Sequence, residues 1–367
     1  MANRMKIRFL GSDEPAAPDA QLVLLFDDGK RIDDQRFDEL RRSYPEAHLV
    51  GCSTAGAIES SSLRDDLVGA AIRFDRTRVR LARVRITSAA DSESAGLDLG
   101  AQLAGDELVH VFVLSDGLTV NGTPLVRGLM RALGGAVSVS GGLAADAAFA
   151  RTTVIADAPP ETGVIAAIGF YGTSLRVGCG SLGGWDPFGP ERRITRSQGN
   201  VLLELDHRPA LELYRRYLGE HAAGLPGSGL LFPLAVRAPD SPDTVVRTIL
   251  GMDEAAGSLT FAGDMPEGHI ARLMKANFDR LVEGAHGAAQ AGTTRLGRDA
   301  QLALLVSCAG RRLVLQQRTE DELEAVREVV GDAAMLGFYS LGELGPSGAS
   351  SCELHNQTMT ITTFAET

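Results

Sequence analysis

Small and polar residues collect where apolar runs of this sequence end, and those are the places best suited to chemistry. Gly51-Cys52-Ser53-Thr54-Ala55-Gly56 closes one run, Ser140-Gly141-Gly142 a second, and Ser307-Cys308-Ala309-Gly310-Arg311 a third. Small residues let a ligand approach the backbone, and hydroxyls donate or accept hydrogen bonds. The alternative reading is that these glycines only permit close packing of helix on strand. Arg311, in a turn after a buried-looking strand, could clamp a carboxylate with two hydrogen bonds. Glu343, following Phe338-Tyr339, could accept from an ammonium group. Together they suit an amino acid, which carries both charges; alternatively, the two pair with each other as a structural salt bridge. His355-Asn356 precedes the strand-like run Met359-Thr360-Ile361-Thr362 and either lines a ligand site or caps a turn.

Catalysis has one foothold. Gly51-Cys52-Ser53-Thr54-Ala55 approximates the G-x-S-x-G nucleophile elbow, with Ala in the last place. An elbow leads directly into a helix, whereas residues 57–66 are polar, Ser-rich and without an apolar stripe. Cys52 or Cys308 as nucleophile has no sequence-local base. The expectation is therefore a protein that is not an enzyme, the alternative being a hydrolase-like or thiol enzyme using Ser53 or a Cys. Non-covalent haem needs an axial ligand, commonly His, and an apolar slot. His48 and His110 lie in apolar strands and read as packed core residues; His207 and His221 flank a helix in polar settings. His286, in Gly284-Ala285-His286-Gly287-Ala288, sits four residues after Val282, and its small neighbours would let a flat macrocycle lie against the helix. It is the candidate ligand for a haem iron.

The elements that must position these residues recur three times. Residues 22–29 form an apolar run ending in a turn. A helical pattern follows with Phe37, Leu40 and Tyr44 on one face, then a second run at 48–56. The second copy has runs at 108–117 and 136–142. Its helix has Thr123 as expected cap, Pro124 in the first turn, and a stripe of Leu125, Leu129, Met130 and Leu133. The third has runs at 302–310 and 334–342, with Thr319 and Glu322 at capping-box spacing ahead of Leu323, Val326 and Val330. A helix crossing between two strands is the βαβ arrangement, which favours parallel pairing. Residues 67–74 with 78–86, and 163–170 with 174–180, read as hairpins around short turns. A helix opening at Pro209, a Gly- and Pro-rich stretch at 222–243 and a helix from Asn277 mark a change of organisation. The expected class is a two-part α/β protein with repeated strand–helix–strand units, mixed sheets and hairpins. Its expected division is a tail over 1–20, a first region over 21–207 and a second over 208–367.

Composition bounds the function. Among 367 residues, 36 Lys and Arg stand against 47 Asp and Glu, a net charge of −11. That balance weighs against a phosphate-backbone partner, so no nucleic-acid role is expected. The four cysteines are scattered with no C-x-x-C, which removes the usual structural zinc spacing. No apolar stretch reaches membrane-span length, and residues 1–10 lack the apolar core of a signal peptide. The expectation is a cytoplasmic protein with reduced thiols and no membrane insertion.

The motifs, taken together, resemble the FIST family, the F-box and intracellular signal transduction sensory domain. The N region of the family is matched by Gly51 to Gly56 and Ser140-Gly141-Gly142. The C region is matched by Gly263 to Gly268 (GDMPEG), Ser307 to Arg311, Gly337 to Glu343, and Leu354 to Thr358. The resemblance runs from about residue 20 to the end. It implies a bacterial-type sensory module that binds a small ligand, either an amino acid-like metabolite or haem for nitric-oxide sensing. It also implies a signalling partner such as a histidine kinase or cyclic-di-GMP enzyme; a homo-oligomer is compatible with it. His355 belongs to the motif shared across the family, so it does not mark a haem-binding branch. In three strand-end turns, Gly51, Gly141 and Gly310, the rule that ligands bind beyond the carboxyl ends of strands suggests one crevice shared by several units. The expected ligand-binding set is Gly51, Cys52, Ser53, Thr54, Gly141, Gly142, Ser307, Cys308, Arg311, Phe338, Tyr339, Glu343, His355 and Asn356.

Overall fold

Alternation along the central strands sets the architecture. In strand Leu22–Asp27, Leu22, Leu24 and Phe26 enter one common core, while Val23 and Leu25 face helix Asp34–Ser43 through Phe37 and Leu40. Strand Leu108–Ser115 sends Phe112 and Leu114 into the same common core and Val111 and Val113 outward against helix Gly122–Leu133. Strand Leu302–Cys308 does so with Leu302, Leu304 and Val306 inward and Ala303 and Leu305 outward. The period of two thus puts three sheets face to face around one interior, with helices on their outer faces. This is the computed structural model of the chain, and it describes residues 5–11, 17–225, 227–348 and 351–367.

The repeat read from the sequence is a structural repeat. In each unit two strands joined through a helix lie parallel: Leu22–Asp27 with His48–Ser53, Leu108–Ser115 with Ser138–Leu143, and Leu302–Cys308 with Ala334–Ser340. An antiparallel strand flanks the first of each pair: Val68–Arg73, Val164–Tyr171 and Met359–Glu366. Beyond it lies an edge strand: Lys6–Phe9, Arg78–Arg85 and Leu175–Leu182. Lys6–Phe9 fell within the expected tail but is instead hydrogen-bonded to Val68–Arg73; residues 1–4 and 12–16 of that tail lie outside the described residues.

The other side of each sheet is completed by a different unit. Hairpin Ala57–Glu59/Ser62–Arg64 of the first unit pairs with Ala334–Ser340 of the third. Hairpin Gly342–Ser347/Ser351–His355 of the third pairs with Ser138–Leu143 of the second. Strand Val154–Ala156 of the second pairs with His48–Ser53 of the first. The exchange is cyclic, and none of these three sheets is made by one unit alone.

Both hairpins expected at 67–86 and 163–180 are corrected by this. Their strands form, but each pair parts into different sheets, and the short turns between them are the junctions from one unit to the next. Local turn chemistry marked the turns; partners distant in sequence decided the pairing.

Strand Leu175–Leu182 and helix Phe278–Leu296 belong to the third unit and pack on one another. Between them the chain builds a separate lobe. This is a sheet running from strand Asp186–Gln198 to Ile270–Lys275, with helix Ala210–Leu218 and a core of Ile194, Leu202, Leu211, Tyr214, Leu259 and Phe261. Residue 207, the expected division of the chain, lies in a turn inside this lobe.

Candidate functional site

The carboxyl ends of the three second strands meet in a ring. Ala55 N donates to Tyr339 O at 3.2 Å, Leu341 N to Leu143 O at 3.0 Å, and Ala145 N to Ser53 O at 3.0 Å. These are equivalent atoms of the three units, bonded cyclically. Three equivalent glycines precede the ring. A Cβ on Gly51, Gly141 or Gly337 would lie 2.1, 2.0 or 2.0 Å from the carbonyl oxygen of Leu25, Val113 or Leu305 on the parallel neighbour. Here these glycines permit close approach of neighbouring strands, a contact that the helix-on-strand reading did not name.

The ring brings much of the expected set together but leaves it packed. Cys52 enters the central core, and a Cβ on Gly142 would lie 2.5 Å from Val306 Cγ1. Phe338 stacks on Phe26 with centroids 4.8 Å apart. Ser53 Oγ accepts from Thr153 N at 3.0 Å, and Thr54 Oγ1 accepts from Tyr339 N at 3.0 Å. The strand carrying Ser53 leads into strand Ala57–Glu59, not a helix, so the elbow geometry is missing. Burial pushes the thiols of Cys52, Cys179, Cys308 and Cys352 upward, to about 11 at Cys179, which keeps them protonated and poorly nucleophilic.

Arg311 has a partner, but it is not Glu343. Its Nε and Nη2 donate to Glu322 Oε2 at 3.0 and 2.8 Å, Nη1 donates to Gly183 O at 2.6 Å, and Nη2 donates to Leu281 O at 2.7 Å. Glu322 Oε1 accepts from Ser307 Oγ at 3.0 Å and Tyr339 OH at 2.7 Å. The capping box expected at Thr319 and Glu322 therefore does not form: helix Thr319–Val330 follows Arg318 without a side-chain cap, and Glu322 turns inward. Three expected ligand contacts, Ser307, Arg311 and Tyr339, converge on this one buried carboxylate.

Glu343 lies in a second buried polar cluster. It accepts from Ser340 Oγ at 2.5 Å and from Thr358 N and Oγ1 at 3.2 and 3.0 Å, and burial raises its pKa to about 8. His355 Nε2 sits 3.3 Å from Gly345 O, and burial followed by the Arg247 charge lowers it to about 4. Asn356 Nδ2 reaches Leu341 O at 3.5 Å while its Oδ1 has no partner. His110 is buried between Ser138 Oγ at 2.8 Å and Ser140 Oγ at 3.0 Å, the packed role expected of it. His48, expected in the core, is half-buried and sits 2.7 Å from Asp157. His286 is half-buried on helix Phe278–Leu296 and lines neither of the two large cavities.

Those cavities lie between the second unit and the lobe. One, of about 490 Å3, opens at the strand ends beside Gly117, Leu143 and Leu341 and is covered by Leu230, Leu250 and Phe261 of the lobe. The other, of about 620 Å3, lies along helix Gly122–Leu133 and carries the charge: Arg127, Arg131, Arg237, Arg247 and His269, with Asp243, Asp264 and Glu353. The loop carrying Gly263 to Gly268 joins lobe to helix, Asn121 Nδ2 donating to Asp264 Oδ1 at 3.1 Å. Asn121 is also the helix cap, accepting from Thr123 N, in place of the expected Thr123.

Arg247 is the residue that sequence reading missed. It is 4% exposed, and burial lowers its pKa to about 10. Nε donates to Asp264 O at 3.2 Å, and Nη1 to Leu354 O at 2.8 Å and Val246 O at 3.3 Å. Among the described residues its Nη2 has no hydrogen-bond partner but is not sealed from solvent, and no carboxylate lies within ion-pair distance, although the charges of Glu353 and Asp264 favour its cationic form. The other arginines differ: Arg127 and Arg131 hold Glu93 at 3.1 and 2.8 Å, and Arg237 holds Glu191 at 2.9 Å. Arg247 ends a short strand outside every motif, so only the three-dimensional structure reveals its isolation. His269, two residues from Glu267 in that same loop region, carried no signal either.

The fold is a three-unit α/β body with an inserted lobe. The chain belongs to the FIST family: the FIST N domain matches residues 21–208 and the FIST C domain residues 210–346. Uncharacterized proteins of Mycobacterium bovis and Mycobacterium tuberculosis are each 25% identical to it over 190 residues, 50% of this chain and 49% of theirs. The chain thus spans about half the length of these curated relatives. The crystal structure of a cyanuric acid hydrolase from A. caulinodans aligns over 99% of both chains at 9% identity with a TM-score of 0.42, a likeness too low to inform activity. No helix among the described residues is long and apolar enough to cross a membrane.

Proposed function

We propose that the protein senses a small anionic ligand held in the 620 Å3 cavity and passes its occupancy to a partner. The observation that carries this is the buried guanidinium of Arg247, lining the cavity with one nitrogen unpartnered. Glu353 and Asp264 favour this charge from beyond ion-pair distance; a buried charge without a directly bonded counter-charge is still costly, and a ligand carboxylate relieves that cost. An amino acid-like metabolite suits the wall: carboxylate on Arg247, ammonium toward Asp264, apolar body against Val126, Met130 and Leu354. Arg311, whose donors are taken up by Glu322 and carbonyls, is replaced in this role.

Arg247 also links the parts a signal must move. It belongs to the lobe, yet Nη1 donates to Leu354 O in the hairpin that the third unit lends to the second. A ligand here touches lobe and body at once, and its differential contacts with the two shift the lobe's position. The family resemblance points to a histidine kinase or cyclic-di-GMP enzyme as the reader of that shift.

Haem is the second reading, favoured by one observation: a histidine, His269, lines this arginine-rich cavity. His269 would replace His286 as axial ligand, with arginines on the propionates, and the iron would supply the nitric-oxide-binding position.

Titration of wild type and Arg247→Gln with haemin, with amino acids and with aliphatic carboxylates tests both, by calorimetry and by absorption. One class is expected to bind the wild type, with Arg247→Gln weakening it about a hundredfold, a few kcal/mol for a partly desolvated charged contact. Binding untouched by Arg247→Gln, or no binding of any class, overturns the reading.

A further inference from the structure

A second chamber of about 240 Å3 adjoins the 620 Å3 cavity, sharing Met130 and Cys352 in its lining, and lies between the second unit and strand Leu175–Leu182. Its lining is mainly apolar, with Val137, Val139, Val177 and Pro346 beside the thiol of Cys179. The one charged group lining it, Arg295, is turned to the backbone, donating to Cys179 O at 2.6 Å. Both thiols are held protonated by burial, so Cys179 and Cys352 act as small apolar surfaces.

One chamber therefore presents a largely buried cation whose Nη2 has no hydrogen-bond partner among the described residues, and the next presents a mainly apolar wall. A compact zwitterion would occupy part of the first and leave the second empty. We infer that the ligand is an elongated amphipathic monocarboxylate: its carboxylate meets Arg247, and its unbranched apolar chain passes Met130 and Cys352 into the second chamber. This rests on the anionic-ligand reading above and adds the ligand's shape. Burial of each methylene is worth about 0.8 kcal/mol in transfer, which is roughly a fourfold gain in affinity per carbon.

The test is calorimetric titration of the full chain with straight-chain carboxylates from butyrate to dodecanoate. Affinity is expected to rise about three- to fourfold per methylene until the second chamber is full. Ala136→Trp places a bulky ring at an exposed residue lining that chamber, and Val137→Asp places a charge there. With folding verified by thermal melting, either change should cut the affinity for decanoate to that for hexanoate and leave butyrate unchanged. Arg247→Gln should instead weaken every length alike. Affinities independent of chain length, or decanoate binding indifferent to both chamber variants, overturn the inference while the anionic-ligand reading stands. Failure of every carboxylate to bind the wild type overturns both for this class of ligand.

Discussion

Arg311 and Glu322 form an ion pair, Nη2 to Oε2 at 2.8 Å, with both side chains wholly buried. Arg311 sits not in the turn expected after strand Leu302–Cys308 but in the short helix Ala309–Leu315, which the pair joins to helix Thr319–Val330; the other bonds of Arg311 reach Gln357 O, and Gly183 and Leu281 at the lobe's two attachment points. Breaking a buried pair by removing one partner typically costs about 3–5 kcal/mol, because a charge is left uncompensated. Glu322→Gln and Arg311→Ala are each expected to lose stability of that order in urea denaturation. A loss under about 1 kcal/mol at Arg311, with ligand binding abolished, would return Arg311 to the ligand site.

The glycine triad before the strand-end ring gives a comparison within the molecule. Gly51→Ala, Gly141→Ala and Gly337→Ala each force a methyl onto a neighbouring carbonyl, so each should destabilise by roughly 2–4 kcal/mol or prevent folding. Gly135→Ala, with open space around it, should change stability by less than about 1 kcal/mol. Equal, small effects at all four would mean that the strands are free to separate.

Buried titrating groups set opposing pH slopes. Glu343 is raised to about 8 from 4.5 by burial, so between those values the folded state holds a proton that the unfolded state has lost. Its contribution is full below about 4.5 and is lost as pH rises through about 8. His110 is lowered to about 3 from 6.5, so its contribution is present above 6.5 and is lost as pH falls through about 3. Glu343→Gln should flatten the decline on the alkaline side and leave the acid side unchanged. Denaturant midpoints across pH 3 to 9 check this; a decline that survives Glu343→Gln refutes the assignment.

All four cysteines are buried free thiols. The folded protein should resist a thiol reagent such as Ellman's at pH 8, and four groups should react after denaturation. Rapid labelling of Cys52 or Cys308 in the native state would reopen the thiol chemistry that their raised pKa values argue against.

What was legible in the sequence follows from what local pattern can encode. Phe37 and Leu40, or Leu125 and Leu129, face the core at helical spacing, and the three βαβ units followed from that spacing. The lobe's first helix also appeared, with Gly219 closing it at φ 56°. Strand partners did not follow, because Ala57–Glu59 binds Phe338 and its neighbours nearly three hundred residues away, and no local signal names that partner. Glu322 shows the same limit: its spacing from Thr319 is that of a cap, but Arg311, Ser307 and Tyr339 offered a buried site and took it. Much of the motif set meets at the ring, whereas the cavity-lining charges Arg247 and His269 occupy no motif read at the outset except through their neighbour Asp264.

Amide hydrogen exchange of the full chain with and without saturating decanoate tests the site most directly. Protection is expected at Thr123 to Arg131, at Val245 to Thr248, and at Gly263 to Pro266, the segments of body and lobe that face the 620 Å3 cavity. Protection confined to Gly51–Gly56 and Gly310–Arg311, or none in the lobe, would contradict a ligand held between the second unit and the lobe.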